Sequence, residues 1–281
     1  DVVKNEDFMT LHGYMSNAGY EDVRQTIAES LNKRFGTNFS FKNLIMTVGA
    51  ASGLNIILKS ILNPGDEVII PAPFWLSYAE MVRIAGGTPV IAYTKAENNF
   101  ELSREILESA YTDKTKAVIV TTPSNPTGMV LTEKCLREIA DFAVEKDIIV
   151  IADEIYEKLI YSKDKKHISI ASFGKEIYER TITVNGVSKS YAMTGWRIGY
   201  TASSKQIAKL MASMQSHMTS NPNSIAQMAA LAAIEGPQDC VEDMREKFEE
   251  RRDYIYDRVA KMPYLKTLKP EGAFYLFVDF S

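Results

Sequence analysis

Residues Ile148–Glu157 read IIVIADEIYE: five apolar residues in a row, then Asp153 and Glu154. Consecutive side chains of a strand point to opposite faces, so this strand is expected to be covered on both sides, as strands of parallel sheets are. Working outward, comparable stretches recur at Leu44–Val48, Glu67–Ile70, Val90–Tyr93, Ala117–Thr121, Thr181–Val184 and Arg197–Thr201. Helical patterns separate them. Glu21–Phe35 stops at Gly36, and Ser52–Leu62 stops before Asn63-Pro64-Gly65. A third, Thr132–Lys146, carries Leu136, Ile139, Ala140, Ala143 and Val144 on one face. Alternating strands and helices predict an α/β fold with a mostly parallel sheet.

Past Tyr200 the pattern changes. Ser204–Met218 and Ser224–Ile234 read as helices broken by Asn221-Pro222-Asn223, and Gly236-Pro237 precedes a long charged helix, Gln238–Lys261. Beyond Pro263, the stretch Gly272–Val278 reads as a strand with no partner to follow, a liability for a finished sheet. The expected division is a large domain over 1–236. Residues 237–281 then form a linking helix and the incomplete beginning of a smaller α+β domain.

Composition narrows the function classes. The 281 residues are 46% hydrophobic, enough for a sizeable core. A formal net charge of −4 without a basic arm argues against a nucleic-acid partner. The apolar runs are strand-length, too short for a bilayer, so no membrane partner is expected. Cys135 and Cys240 have no metal-type spacing; no metal is expected, and a reducing cytoplasm fits them better than a disulfide framework.

In parallel α/β sheets, ligands bind where strand carboxyl ends meet the following loops. Five such loops carry unusual residues. Gly49-Ala50-Ala51-Ser52-Gly53 opens a helix with small residues, which suits either an anion or close helix–sheet packing. Pro71–Trp75 presents Trp75, able to stack on a flat ring or to fill a core. Thr122–Gly128 is a turn that leaves Asn125 available to a ligand. Asp153, at the end of a buried strand, needs a cation or strong donors; a structural ion pair is the alternative. Finally, VNGVSKSYAMTGWRIGY (Val184–Tyr200) sets Lys189 and Arg197 near apolar segments expected to be buried, where something must answer their charge. Pyridoxal phosphate satisfies all five together. Its aldehyde condenses with a lysine amine as a Schiff base, and its phosphate takes an arginine and backbone N–H groups. Its ring nitrogen takes a carboxylate, its ring oxygen a tyrosine and an asparagine, and its face an aromatic.

With these motifs assembled, the chain resembles the class I pyridoxal-phosphate-dependent aminotransferases of the aspartate aminotransferase fold, within the bacterial subgroup that shares SK-x-[YF]-AMTGWR-[IL]-GY. The similarity runs from YMSNAGYEDVRQTIAESL through NPTG, ADEIYE and SKSYAMTGWRIGY to PEGAFY. The resemblance implies a three-layer αβα large domain and transfer of an amino group between an amino acid and a 2-oxo acid. It implies Lys189 as the Schiff-base lysine and proton carrier, Asp153 on the ring nitrogen, and Tyr156 and Asn125 on the ring oxygen. Trp75 would stack on the ring. Gly49, the backbone of Ala50 and Ala51, Ser188 and Arg197 would surround the phosphate. Tyr14 would reach the phosphate of a neighbouring subunit, so a homodimer with shared sites is implied. Relatives that read a dicarboxylate with a lysine carry it at Ala51, and those that use a partner arginine carry it near Ser216. Neither charge is present, which leaves the substrate open. The family's arginine for the substrate carboxylate falls beyond Ser281, so the chain reads as a domain of a longer enzyme. A β-elimination lyase on the same fold, or a domain that binds the cofactor without turnover, are the competing readings.

Overall fold

The computed structural model describes residues 8–161 and 165–281. Its centre is a seven-stranded sheet. The strands are β1 (Leu44–Thr47), β2 (Glu67–Ala72), β3 (Thr88–Tyr93), β4 (Thr115–Thr121), β5 (Ile149–Asp153), β6 (Thr181–Gly186) and β7 (Gly199–Ala202). Their spatial order is β1-β7-β6-β5-β4-β2-β3. β2, β3, β4, β5 and β6 pair in parallel, while β7 lies antiparallel to both β6 and β1. β1 therefore points the same way as β6, and its carboxyl end opens on the same edge of the sheet.

The lack of alternation in the strands has a direct cause. Val68, Ile70, Ala117, Ile119, Ile151, Ile182 and Val184 pack against one helical layer, where α3 (Gly49–Ile61) contributes Leu54, Ile57 and Leu58. The same cluster takes Tyr78 and Val82 from α4 (Ser77–Ile84) and Met211 from α8 (Lys205–Ser216). The intervening residues Ile69, Val118, Val120, Val150 and Ala152 face the other layer. There they meet Leu107 of α5 (Arg104–Ala110), Leu136, Ile139 and Ala143 of α6 (Glu133–Glu145), and Ile177 of α7 (Lys175–Arg180). Both strand faces are buried, which makes the three-layer αβα sandwich. Each buried Val, Leu, Ile or Met among them contributes about 1.5–3 kcal/mol. The short helix α1 (Phe8–His12) precedes α2 (Glu21–Phe35), and a third cluster joins α2 and α9 (Ser224–Glu235) to β1 and β7 through Ile27, Leu31, Leu44, Met46, Tyr200 and Ala226.

α2 ends as the sequence predicts: Gly36 adopts φ 69° and donates its N–H to Asn32 O at 2.8 Å. Three expectations need correction. α3 starts at Gly49, not Ser52, because the chain turns at Gly49 (φ 76°) straight from β1 into the helix. β7 starts at Gly199, not Arg197, because Arg197 sits at φ 51° after a 3₁₀ turn over Thr194–Trp196. The stretch 272–278 is not a continuous strand. Val278–Asp279 (β9) pairs with Lys266–Thr267 (β8) as a two-stranded ribbon after α10 (Asp239–Val259), and Gly272 makes only an isolated antiparallel bridge with Ile160. The backbone before it bonds to loops instead: Gly272 N–H to Gly128 O at 2.8 Å, and Ala273 N–H to Leu159 O at 2.9 Å.

Candidate active site

The carboxyl ends of β1, β2, β4, β5 and β6 surround a cavity of about 220 Å³. Nine of the residues singled out from the sequence line it. Ala50 and Ala51 come from the first turn of α3, Trp75 from the loop after β2, and Asn125 from the loop after β4. β5 delivers Asp153 and Tyr156, the loop after β6 delivers Ser188 and Lys189, and Arg197 closes the rim. Gly49 stands just behind, and its role is spatial: a Cβ there would lie 2.6 Å from Arg197 Nη2. Gly199 gives the same kind of clearance, since its Cβ would stand 2.7 Å from the Ala50 nitrogen. Tyr14 is not part of this lining; it is 95% exposed.

Asp153 forms the floor and is 4% exposed. Among the described residues, no cation contacts it directly. Its Oδ2 accepts from the Tyr78 hydroxyl at 2.7 Å and its Oδ1 from the Ile155 N–H at 3.2 Å. Because Tyr78 spends its proton on Asp153, the Thr121 hydroxyl donates to Tyr78 at 2.9 Å. Burial raises the Asp153 pKa, and the two donors only partly offset it. The site thus holds a desolvated acid that gains most when a cation meets it from the cavity.

Lys189 is half-buried, with Nζ 5.8 Å from the Tyr156 ring and 5.6 Å from the Phe274 ring. Burial lowers its pKa, and Arg197 adds to the effect, while Asp153 pulls the other way. An amine in this setting is neutral more often than a surface lysine, and so is available as nucleophile or base. Arg197 differs from expectation. It is exposed rather than buried, and its Nη1 donates to Thr194 O at 2.7 Å. What answers its charge lies in the cavity and the rim rather than in the core.

Tyr156 is buried; burial raises its pKa, so its hydroxyl stays a proton donor. It sits 2.6 Å from the Tyr275 hydroxyl. Trp75 meets Tyr78 edge-on, with ring centroids 5.3 Å apart. Behind the floor, Glu154 Oε2 lies 3.1 Å from His167 Nε2, and Glu157 Oε1 lies 2.5 Å from Arg34 Nη1. Burial disfavours charge on His167, but the Glu154 carboxylate outweighs it and raises the pKa. Glu154, Glu157 and His167 bring their ligand atoms within 4.8 Å of one another. With Arg34 beside them they form a nearly charge-balanced cluster, which explains why the second acid of the Asp153-Glu154 pair is not a site residue.

Besides the apolar Leu54 and Ile155, the lining includes three polar side chains that the sequence does not single out: Tyr78, Thr194 and Tyr275. Tyr78 follows Trp75 by three residues, a helical spacing that could have flagged it. Tyr275 had no such signal. It reaches Tyr156 across 119 residues of chain.

Chemically, the cavity offers an anion-binding end, a flat aromatic wall, a buried acid and a primary amine. Comparison with known proteins agrees. A sequence profile of the aminotransferase class I and II family matches residues 2–281. An aspartate aminotransferase of a Bacillus species is 47% identical over 268 residues, covering 95% of this chain and 68% of that protein. An asparagine–oxo-acid transaminase of Streptococcus mutans is 41% identical over 264 residues, covering 94% and 67%. Among solved structures, an aromatic aminotransferase from Pyrococcus horikoshii superposes with TM-score 0.92 at 44% identity, covering 95% of this chain and 72% of that one. The Thermus thermophilus aspartate aminotransferase with maleate gives TM-score 0.90 at 40% identity, covering 95% and 69%. The chain thus spans about two thirds of the length of the curated relatives it matches. It belongs to the class I and II aminotransferases, pyridoxal-phosphate-dependent enzymes that exchange an amino group between an amino acid and an oxo acid.

Proposed function

We propose that this aminotransferase takes its amino group from aspartate and delivers it to a 2-oxo acid. Aspartate is supported by three relatives at 45–47% identity that carry that name. The mechanism rests on one observation: Lys189, Asp153 and Arg197 converge on a single cavity beside the first turn of α3.

The donor set fits pyridoxal phosphate from end to end. Bound there, the cofactor supplies an aldehyde and a ring that withdraws electrons from the substrate's α-carbon. Arg197, the N–H groups of Ala50 and Ala51, and the Ser188 hydroxyl hold the phosphate, and Gly49 leaves room for the guanidinium. Asp153 keeps a proton on the ring nitrogen, its carboxylate oriented by Tyr78 and the Ile155 N–H. Tyr156 and Asn125 hold the ring oxygen, and Trp75 covers the ring face. Lys189 would hold the aldehyde end, since its primary amine can condense with an aldehyde with loss of water. The same amine would carry the proton of the substrate's α-carbon. Burial and Arg197 lower its pKa, which favours the neutral amine that this work needs.

The test is borohydride reduction of the protein mixed with pyridoxal phosphate, followed by peptide mapping. One label, on Lys189, is expected; a label on other lysines alone would sink the assignment. A donor screen read by the visible absorbance of the bound cofactor should then find aspartate the fastest. A faster aromatic amino acid or asparagine would overturn the choice of donor.

We further infer a homodimer with shared sites. Tyr14, exposed and outside its own cavity lining, is available to a partner's phosphate. Sedimentation should report twice the chain mass, and a monomer at micromolar concentration would refute this. The free thiols Cys135 and Cys240 support a cytoplasmic setting, which cysteine-directed labelling of the intact cell fraction would check. Among the described residues, no helix is long and apolar enough to cross a membrane. Residues 237–281 are read as a linking helix and the start of a second domain. Limited proteolysis cutting first near Gly236 would support that boundary, and a first cut inside α3–α8 would contradict it.

A further inference from the structure

The loops at the strand ends make most of the cavity wall, but one part comes from elsewhere. Tyr275 supplies it from the segment 270–277, which packs on α10 through Arg252–Pro270 O and Phe248–Phe274 and is pinned by backbone hydrogen bonds. Gly272 N–H reaches Gly128 O at 2.8 Å, and Tyr161 N–H reaches Glu271 O at 2.9 Å. The Tyr161 hydroxyl donates to Ala273 O, and the Ala273 N–H reaches Leu159 O at 2.9 Å. Ala273, the residue before Phe274-Tyr275, is fully buried. This anchoring fixes the Tyr275 hydroxyl 2.6 Å from the Tyr156 hydroxyl, at the short end of O–H···O bonds.

Either oxygen of this pair could be the donor. The choice is forced once Tyr156 has an acceptor in the cavity. A phenol has one proton. If Tyr156 gives it to the cofactor's ring oxygen, the bond between the two tyrosines can only run from Tyr275 to Tyr156. A donor that itself accepts a hydrogen bond is polarised and donates more strongly.

We propose that Tyr275 is a positioning residue: its hydroxyl donates to the Tyr156 oxygen, aiming Tyr156 at the cofactor's ring oxygen and strengthening that bond. This rests on the role given to Tyr156 above. The polar and charged groups facing the pair are Asp153 at the end of β5, Lys189 after β6, Asn125 after β4 and Tyr78 on α4. The 270–277 segment adds Phe274, whose ring is 5.4 Å from that of Tyr156. Tyr156 remains protonated, since burial is the largest influence and raises its pKa.

The consequence is spectroscopic. A donor to the ring oxygen favours the form in which that oxygen bears negative charge. Weakening the donor therefore raises the pH at which the bound chromophore loses its proton and changes colour. The 281-residue chain loaded with pyridoxal phosphate is titrated from about pH 5 to about pH 10, as wild type, Tyr275→Phe, Tyr156→Phe and the double variant. Tyr275→Phe should raise the midpoint by about half a pH unit or more, as loss of one modest hydrogen bond implies. Tyr156→Phe should raise it further, and the double variant should match Tyr156→Phe, because Tyr275 acts only through Tyr156. A Tyr275→Phe midpoint equal to wild type overturns the proposal, as does a double variant whose shift is the sum of the two. A wild-type chain that takes no borohydride-fixed label on Lys189 overturns the cofactor reading instead, so the two failures are told apart. Phenylalanine keeps the ring packing against Tyr156 and Phe274, and a shift in midpoint is not something a packing role would produce.

Discussion

Lys189→Ala is expected to lower kcat by about 10⁴-fold or more, because it removes both the point of attachment and the proton carrier. Among the described lining residues, Lys189 is the sole primary amine, so nothing in the cavity stands in for it. Lys189→Arg should be as inactive, although it keeps the charge. A guanidinium stays protonated and can neither attack an aldehyde nor accept a proton. The fold should not suffer. The pKa of Lys189 is lowered in the folded chain, so its contribution to stability is present above the unfolded pKa and lost as pH falls through the folded one. At neutral pH the charged amine is therefore a burden on the cofactor-free chain, and Lys189→Ala should melt no lower than wild type. Thermal melts paired with stopped-flow turnover check both halves. Turnover within tenfold of wild type would end Lys189's role in the chemistry.

Asp153→Asn is the second large effect. The amide cannot hold a proton on the ring nitrogen by charge, and turnover should fall by about 10²–10³-fold, while Lys189 still takes the borohydride-fixed label. Stability should move the other way. The Asp153 pKa is raised by burial, so its contribution is present below the unfolded pKa and lost as pH rises through the folded one. At neutral pH the cofactor-free protein carries a desolvated carboxylate with hydrogen-bond donors but, among the described residues, no direct ion-pair partner. Asp153→Asn should therefore match or exceed the wild-type melting temperature without cofactor and gain less from adding it. A cofactor-free variant that melts several degrees lower would mean that the carboxylate serves the fold rather than the ring.

Much of this was legible along the chain. All seven strands of the sheet were predicted from short apolar runs, because burial on both faces writes itself into consecutive residues. The loop residues stood out because charge, small side chains and proline at strand ends have few structural uses there. α4, α5 and α7 escaped notice: they run only 6–8 residues, too few for a periodicity to emerge.

Local pattern by itself determined the fold class, the strands and the residues with unusual chemistry, since each depends on neighbours in sequence. Tertiary structure alone decided the insertion of β7 between β1 and β6, the exposure of Arg197, and the two tyrosines that meet Asp153 and Tyr156. Those arise from strand order and from segments packed together across 75 and 119 residues of chain. Long-range register of that kind leaves no trace in the spacing of side chains along one segment.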